Sequence, residues 1–316
     1  MKTQRTPQRG AALLLAMIIV TLIATLAVSM VWQQWRAVQV ETAERSRSQS
    51  AWILSGALDW AALILREDAR GNAARVDHLG EPWAVPLAEA RLSTFLAADK
   101  DNTDDAPEAF LSGSITDAQA RFNVSNVVDA NTGQVSPAHV ASLRRLCENV
   151  NVSATVADLL VNGLKAAFTP SNTPGVSGDS PLRPKRVSQL SWLGIDAQAL
   201  QRLEPHIVIL ETPTIVNINT ASREVIAAVV PNLNVGDAER LIQYRQRTPF
   251  KKPEDITAQL RDMDVSGLGI ETGYFEVRGR LRLSDRVLEQ RSLLRRDGRT
   301  VTVVSSERIN SNDSGR

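Results

Sequence analysis

From Ala11 to Val31 the chain reads AALLLAMIIVTLIATLAVSMV, an apolar run with no charge and only Thr21, Thr25 and Ser29 as polar side chains. As a helix rising 1.5 Å per residue, it reaches about 30 Å, the thickness of a bilayer's hydrocarbon core. Lys2, Arg5 and Arg9 precede the run, no acid does, and Arg36 is the first charge after it. Trp32 and Trp35 fall where an interfacial aromatic belt lies. The spacing predicts one membrane span over 11–32, with the leader cytoplasmic and the bulk of the chain outside. Ala11, Leu14, Ile18, Leu22, Leu26 and Trp32 are its expected anchor residues.

Three kinds of segment begin this way. A secretory signal has an apolar stretch of about 7–15 residues before a small-x-small site, whereas this run is longer and no good site follows. An uncleaved anchor is the second. The third starts from the Gly10–Ala11 junction, where a basic leader ending in glycine abuts the apolar run directly. A cut there leaves the helix in the mature chain. The junction resembles the class III leader cut by prepilin peptidase, an enzyme that in that family also methylates the new N-terminus. On that resemblance Gly10 and Ala11 are processing residues, and Leu15 is the fifth mature position, which is Glu in most pilins and pseudopilins. In that family the Glu carboxylate neutralises the terminal amine of the neighbouring subunit. A carboxylate without that partner costs about 2.5–3.5 kcal/mol in lipid on insertion scales. Leucine removes the penalty, as expected of a subunit with nothing ahead of it.

No proline occurs between Arg9 and Pro82. Trp35, Val38, Thr42 and Ser46, then Ile53, Ala57, Trp60 and Ile64, recur at helical spacing, which predicts one helix from about Ala11 to Asp68 that stops near Gly71-Asn72. A β-prone region opens at Glu81-Pro82-Trp83, an acidic turn follows at Asp101–Asp105, and alternation from Leu111 to Val128 predicts strands. The acidic turn lacks the Gly and terminal Glu of an EF-hand loop and reads as solvated. Short helices are expected at 139–149, 156–168, 197–204, 222–230 and 237–247, interrupted by a Pro/Gly/Ser-rich loop at 169–184. Strict alternation over Tyr274–Leu283 and again over Thr300–Val304, with an Asp297-Gly298 turn signal before the second, predicts strands at the end. Residues 310–316 read as a disordered tail.

The whole is an α+β chain. A leader (1–10) precedes a long N-terminal helix (11–70), a sheet region (71–128), a helical domain (129–268) inserted between strands, and returning strands with the tail (269–316).

Composition narrows the function. Lys and Arg number 36 against 35 Asp and Glu, a net charge of +1, which argues against a dedicated nucleic-acid binder. Cys147 is the single cysteine, so an intramolecular disulfide and a cysteine-rich zinc site are excluded, and His78, His139 and His206 share no metal-ligand spacing.

With these pieces placed, the chain resembles the K-type minor pseudopilins of type II secretion systems. The residues that carry the resemblance are RGAALLLAMIIVTLIATLAVSMVW, Pro82-Trp83-Ala84, the run Ile115-Thr116-Asp117-Ala118-Gln119-Ala120-Arg121-Phe122-Asn123-Val124, and Val216-Asn217-Ile218-Asn219-Thr220-Ala221. Leu15 and the large soluble region are features of the same family. The resemblance implies a pilin-like fold, in which a long N-terminal transmembrane helix packs on a small antiparallel sheet with a large all-α domain inserted between strands. It also implies a single-pass protein of the bacterial inner membrane, its large domain in the periplasm, capping the tip of a pseudopilus. Implied partners are minor pseudopilins I and J, prepilin peptidase and other type II secretion components. Family members can bind calcium through an acidic segment of the helical domain. Here the matching region, 158–168 and then 175–180, keeps only Asp158 and Asp179 as obvious ligands, so no cofactor is expected.

Parts of the sequence bear on two rival classes of function. The stretch from Asn217 through Gly236 to Arg245 resembles a helix-hairpin-helix unit of DNA-uptake proteins, with Arg240, Arg245, Arg247, Lys251 and Lys252 nearby. Such hairpins grip phosphates through backbone amides and need glycines for close approach, yet Pro231–Gly236 holds one. No nucleic-acid partner is expected. For an enzyme, the chain lacks GxSxG, HExxH, GxxxxGK[ST] and GxGxxG patterns, and Cys147 near His139 reads as a buried structural cysteine.

Overall fold

In the computed structural model the described residues are 9–71, 75–92, 109–168, 181–283 and 286–309. The leader at 1–8, the acidic turn at 101–105, Asn72, most of the 169–184 loop, including Asp179, and the 310–316 tail lie outside them. The chain divides into two units, one ending at Ser55 and one starting at Gly56.

Helix α1 runs from Arg9 to Gly71 without a break. In the first unit it carries the apolar run, and every described side chain from Ala11 to Val40 is exposed. The polar groups of the run are satisfied within the helix. Thr21 Oγ1 donates to the carbonyls of Met17 and Ile18 at 3.0 and 2.9 Å, and Thr25 Oγ1 donates to that of Leu22 at 2.9 Å.

In the second unit the last turns of α1 become a core element. Ala61, Ala62 and Leu65 pack on Trp83, Ile115, Phe275, Val277 and Leu294. Alanines there let the helix lie close to the sheet, and Trp83 meets Phe275 edge-on with ring centroids 5.2 Å apart.

The sheet has five antiparallel strands: β1 (Leu87–Arg91), β2 (Ala109–Asp117), β7 (Tyr274–Leu283), β8 (Arg286–Asp297) and β9 (Thr300–Ile309), in the spatial order β1-β2-β7-β8-β9. The β-prone 81–86 segment is a 3-10 turn at Pro82–Ala84 instead, because its two prolines cannot donate to a ladder, and β1 starts just after Pro86. Strand β8 was read from sequence only as a turn at its end. Its Leu293-Leu294 pair puts large apolar side chains on both faces of the sheet, so β8 lacks the apolar-polar alternation that marks a strand.

Neighbouring strands β2 and β7 are separated in sequence by residues 118–273, which leave and return at the paired residues Asp117 and Phe275. This insertion holds α2 (Pro137–Asn149), α3 (Ala154–Phe168), α4 (Ala197–Leu203), α5 (Arg223–Val229), α6 (Val235–Arg247) and α7 (Pro253–Gln259). Two short parallel pairs tie its segments, β3 (Phe122–Asn123) with β4 (Ile207–Val208) and β5 (Val216–Asn217) with β6 (Leu268–Gly269). Its core gathers Leu143, Leu146, Leu160, Leu203, Ile218, Ile226 and Phe250. Phe122, Val124, Val127 and Val128 belong to this same core, so the helical region begins earlier than the boundary at 129 read from sequence. The strand expected through 128 is reduced to Phe122–Asn123, which pairs with β4 and not with the sheet, and Val124–Val127 form a 3-10 turn.

Candidate functional site

Two of the blocks that carry the sequence resemblance, 115–124 and 216–221, meet at the joint between sheet and insertion. Asp117, the last residue of β2, is buried. Its Oδ1 accepts the N–H of Gln119 at 2.7 Å, and its Oδ2 accepts from Asn217 Nδ2 at 2.9 Å and Thr220 Oγ1 at 2.6 Å. Burial pushes the carboxyl up, and the bonds from Thr220 and the Gln119 N–H oppose the rise. Asn217 also donates to the Asp77 carbonyl at 3.0 Å, which draws in the segment after α1.

Around this centre, side-chain amides close main-chain gaps that no ladder covers. Asn126 makes reciprocal bonds to Thr214 at 2.7 and 3.1 Å, and Asn219 does the same with Phe250 at 3.0 and 2.9 Å. Gln119 bridges Ile215 and Gly273 at 3.1 and 2.7 Å. Each amide offers a donor and an acceptor side by side, the pattern of a β-bridge, so otherwise orphaned backbone groups are satisfied.

Two charge networks flank the joint. Arg296 on β8 donates to Asp68 on α1 at 2.8 Å and to Asp77 at 2.5 Å, while Thr272 N–H also reaches Asp77 at 2.8 Å. The carboxylates of Asp68, Asp77 and Glu81 lie within 4.8 Å of one another, and the one guanidinium bridges two of them. Glu81 accepts from the His78 N–H at 3.0 Å and the Trp83 indole at 2.7 Å, and burial pushes its carboxyl up to about 7. On the far face of the sheet, burial would raise Glu276 as well, but Arg121, Arg278 and Arg291 outweigh it and hold that carboxyl near 2.

A solved structure described as the GspK-GspI-GspJ complex from the enterotoxigenic Escherichia coli type 2 secretion system contains a chain with this fold. It matches with a TM-score of 0.63 and 19% identity, over 85% of this chain and 99% of that one. Family models described as type II secretion system protein K match residues 120–212 and 216–278. Proteins named type II secretion system protein K are similar over most of their length. The one from Pseudomonas aeruginosa is 28% identical, over 89% of this chain and 87% of that protein. The one from Klebsiella pneumoniae is 29% identical, over 94% and 95%. The chain is similar to the type II secretion system protein K proteins along most of its length.

The anchor residues Ala11, Leu14, Ile18, Leu22, Leu26 and Trp32 all stand exposed on α1, which is long and apolar enough to cross a membrane. The rings of Trp32 and Trp35 lie 6.4 Å apart, with the Arg36 guanidinium 4.8 Å from the Trp32 centroid, an amphipathic collar at the end of the run. Leu15 is one more exposed apolar position, and Gly10 and Ala11 sit in the first turns of the same helix.

The described residues do not assemble an oxygen set for calcium in the helical domain. Asp158 is engaged by Arg144, whose Nη2 and Nε lie 2.7 and 3.2 Å from its Oδ1. Of the basic residues in the hairpin reading, Arg245 is turned inward onto the Ile218 carbonyl, with burial lowering it to about 10, and Arg240 pairs with Asp237. Gly236 lies inside the first turn of α6 and not in the hairpin. The Cys147 thiol is buried and pushed up to about 11, so it stays protonated at neutral pH. His139 bonds Ser136 at 2.8 Å, and burial lowers its imidazole.

The joint itself was missed from sequence. The blocks around Asp117 and Asn217 stood out as strings, and polar residues closing strand ends were their one visible signal.

Proposed function

We propose that this protein is the minor pseudopilin that caps the tip of a type II secretion pseudopilus. It is cut between Gly10 and Ala11, held in the inner membrane by residues 11–32, and displays its large domain in the periplasm. Two other minor pseudopilins, counterparts of I and J, share the tip complex. The observation that supports the reading most is the helical insertion of 118–273 between adjacent strands β2 and β7, in a chain that also begins with an apolar span. A subunit carrying so large an insertion obstructs further addition above it, and Leu15 removes the need for a neighbour's amine. The role is structural: the α1 span stores the subunit in the bilayer, partner helices lower the cost of extracting it, and no chemical step is required of the chain.

The test is the intact mass and N-terminal sequence of the full-length protein, expressed with and without prepilin peptidase. Loss of residues 1–10 and a methylated Ala11 are the expected result. Retention of Met1 in both cases rejects the pseudopilin reading and leaves an ordinary membrane-anchored protein.

A further inference from the structure

Strand β9 is the last strand of the sheet, and β8 is the one described element that runs along it. Its other side presents the N–H and C=O groups of every second residue to solvent. The two edges of the sheet differ. Strand β1 is five residues long and its register is broken between Leu87 and Ala90, the short, irregular form in which edges are protected. Strand β9 is twice as long at ten residues, contains no proline, and opens with the β-branched run Thr300, Val301, Thr302, Val303, Val304, regular up to a single bulge at Val304. Val303 is 49% exposed.

A tight turn fixes where the edge begins. Strands β8 and β9 join through Gly298-Arg299, with φ of +57° at Gly298 alone, the tight hairpin whose twist matches its strands. A template fixed in advance loses little freedom when a strand adds to it.

Charge selects the occupant. Arg299 beside the start of β9 and Arg308 near its end are exposed and have no ion-pair partner among the described residues. Glu307, the acid on the strand, is already matched by Arg186 at 2.5 Å and Arg291 at 3.8 Å. We propose that the β9 edge is a strand-addition site for an extended, β-branched segment of a different protein with acidic side chains near both ends. A second copy of this chain fits poorly, because antiparallel pairing of two β9 strands about a two-fold axis sets Arg299 of each copy beside Arg308 of the other. Main-chain bonds supply the attraction and the terminal charges supply selectivity.

The probe is a fluorescein-labelled ten-residue peptide of alternating Val and Thr with Glu at both ends, titrated by anisotropy into detergent-solubilised full-length protein. Replacing both Glu by Lys is expected to weaken binding roughly tenfold, the scale of two exposed ion pairs exchanged for two repulsions. The double variant Arg299→Glu/Arg308→Glu is expected to reverse the preference without disturbing the fold. N-methylation of every second amide of the peptide, on whichever edge faces β9, is expected to abolish binding. Equal affinity for the two peptides, survival of binding with either set of N-methyl groups, or no binding of either peptide overturns the proposal. A sedimentation dimer that the Glu-ended peptide disperses also overturns it and assigns the edge to a second copy.

Discussion

The apolar run of α1 and the joint around Asp117 solve opposite problems. The run needs a surface that matches lipid along its whole length and backbone groups closed within one helix, so no particular partner has to be found. Its side chains from Ala11 to Val31 are all exposed. The joint has no such slack. Asp117, Asn217, Asp77 and Arg296 come from distant segments, and each leaves another buried polar group unpaired if it is lost. A region specified by composition tolerates substitution, and one specified by pairing does not.

The sharpest way to break the comparison is Arg296→Leu. The arginine side chain is 10% exposed and stands between Asp68 and Asp77, at 9% and 1%. Its loss strands two buried carboxylates, and we expect destabilisation of about 3–5 kcal/mol. Urea unfolding of the detergent-solubilised full-length chain, followed by tryptophan fluorescence, measures it. A loss below about 1 kcal/mol shows that water relaxes the site and that the pairing is not specific. Asp117→Asn comes next. It keeps the shape but turns one acceptor into a donor facing Asn217 and Thr220, for an expected cost of about 1–3 kcal/mol in the same assay.

These two positions also show why the sequence was readable in places and opaque in others. Helix α1, strand β7 and the helices α2 to α6 follow from local periodicity, because each buries one face and its pattern lies within a few residues. The joint is assembled across long separations. Asn217 reaches Asp117 over 100 residues, Thr272 reaches Asp77 over 195, and Arg296 reaches Asp68 over 228. No period records such pairings. Residues 122–128 were misplaced for the same reason, since their apolar side chains are claimed by the insertion's core, where all but Phe122–Asn123 leave the strand conformation. Leu15 carried meaning only through the family resemblance, because on physical grounds it is one leucine among many.

A smaller effect separates two acids by the sign of their pH dependence. Burial raises Glu81 from 4.5 to about 7, so ionising it costs more in the folded chain than in the unfolded one. Its contribution is complete below about pH 4.5 and is lost as pH rises towards 7. Glu276 is held near 2, so its contribution is present above about pH 4.5 and is lost as pH falls towards 2. Glu81→Gln, which keeps an acceptor for Trp83, is expected to raise stability at pH 8 by about 1 kcal/mol after allowance for solvent screening. It flattens the limb between pH 4.5 and 7 and leaves the acid limb in place. Thermal melts from pH 3 to 8 check both limbs, and a gain at pH 3 in place of pH 8 contradicts the assignment.

The smallest effect is the control on which the comparison rests. Leu22 is 58% exposed in the middle of the apolar run. Leu22→Ala removes a large side chain, which in a packed core costs about 2–5 kcal/mol. A lipid-facing position leaves no cavity, because acyl chains close over the smaller side chain, and alanine is the better helix former. We therefore expect the urea midpoint to shift by less than about 0.5 kcal/mol equivalent, with membrane integration weakened by a few tenths at most. A loss comparable to that of Arg296→Leu means that Leu22 is packed against protein in the unfolding species. The run is then specified by pairing after all, and its leucines, Leu15 included, have to be read as contacts and not as solvent-matched surface.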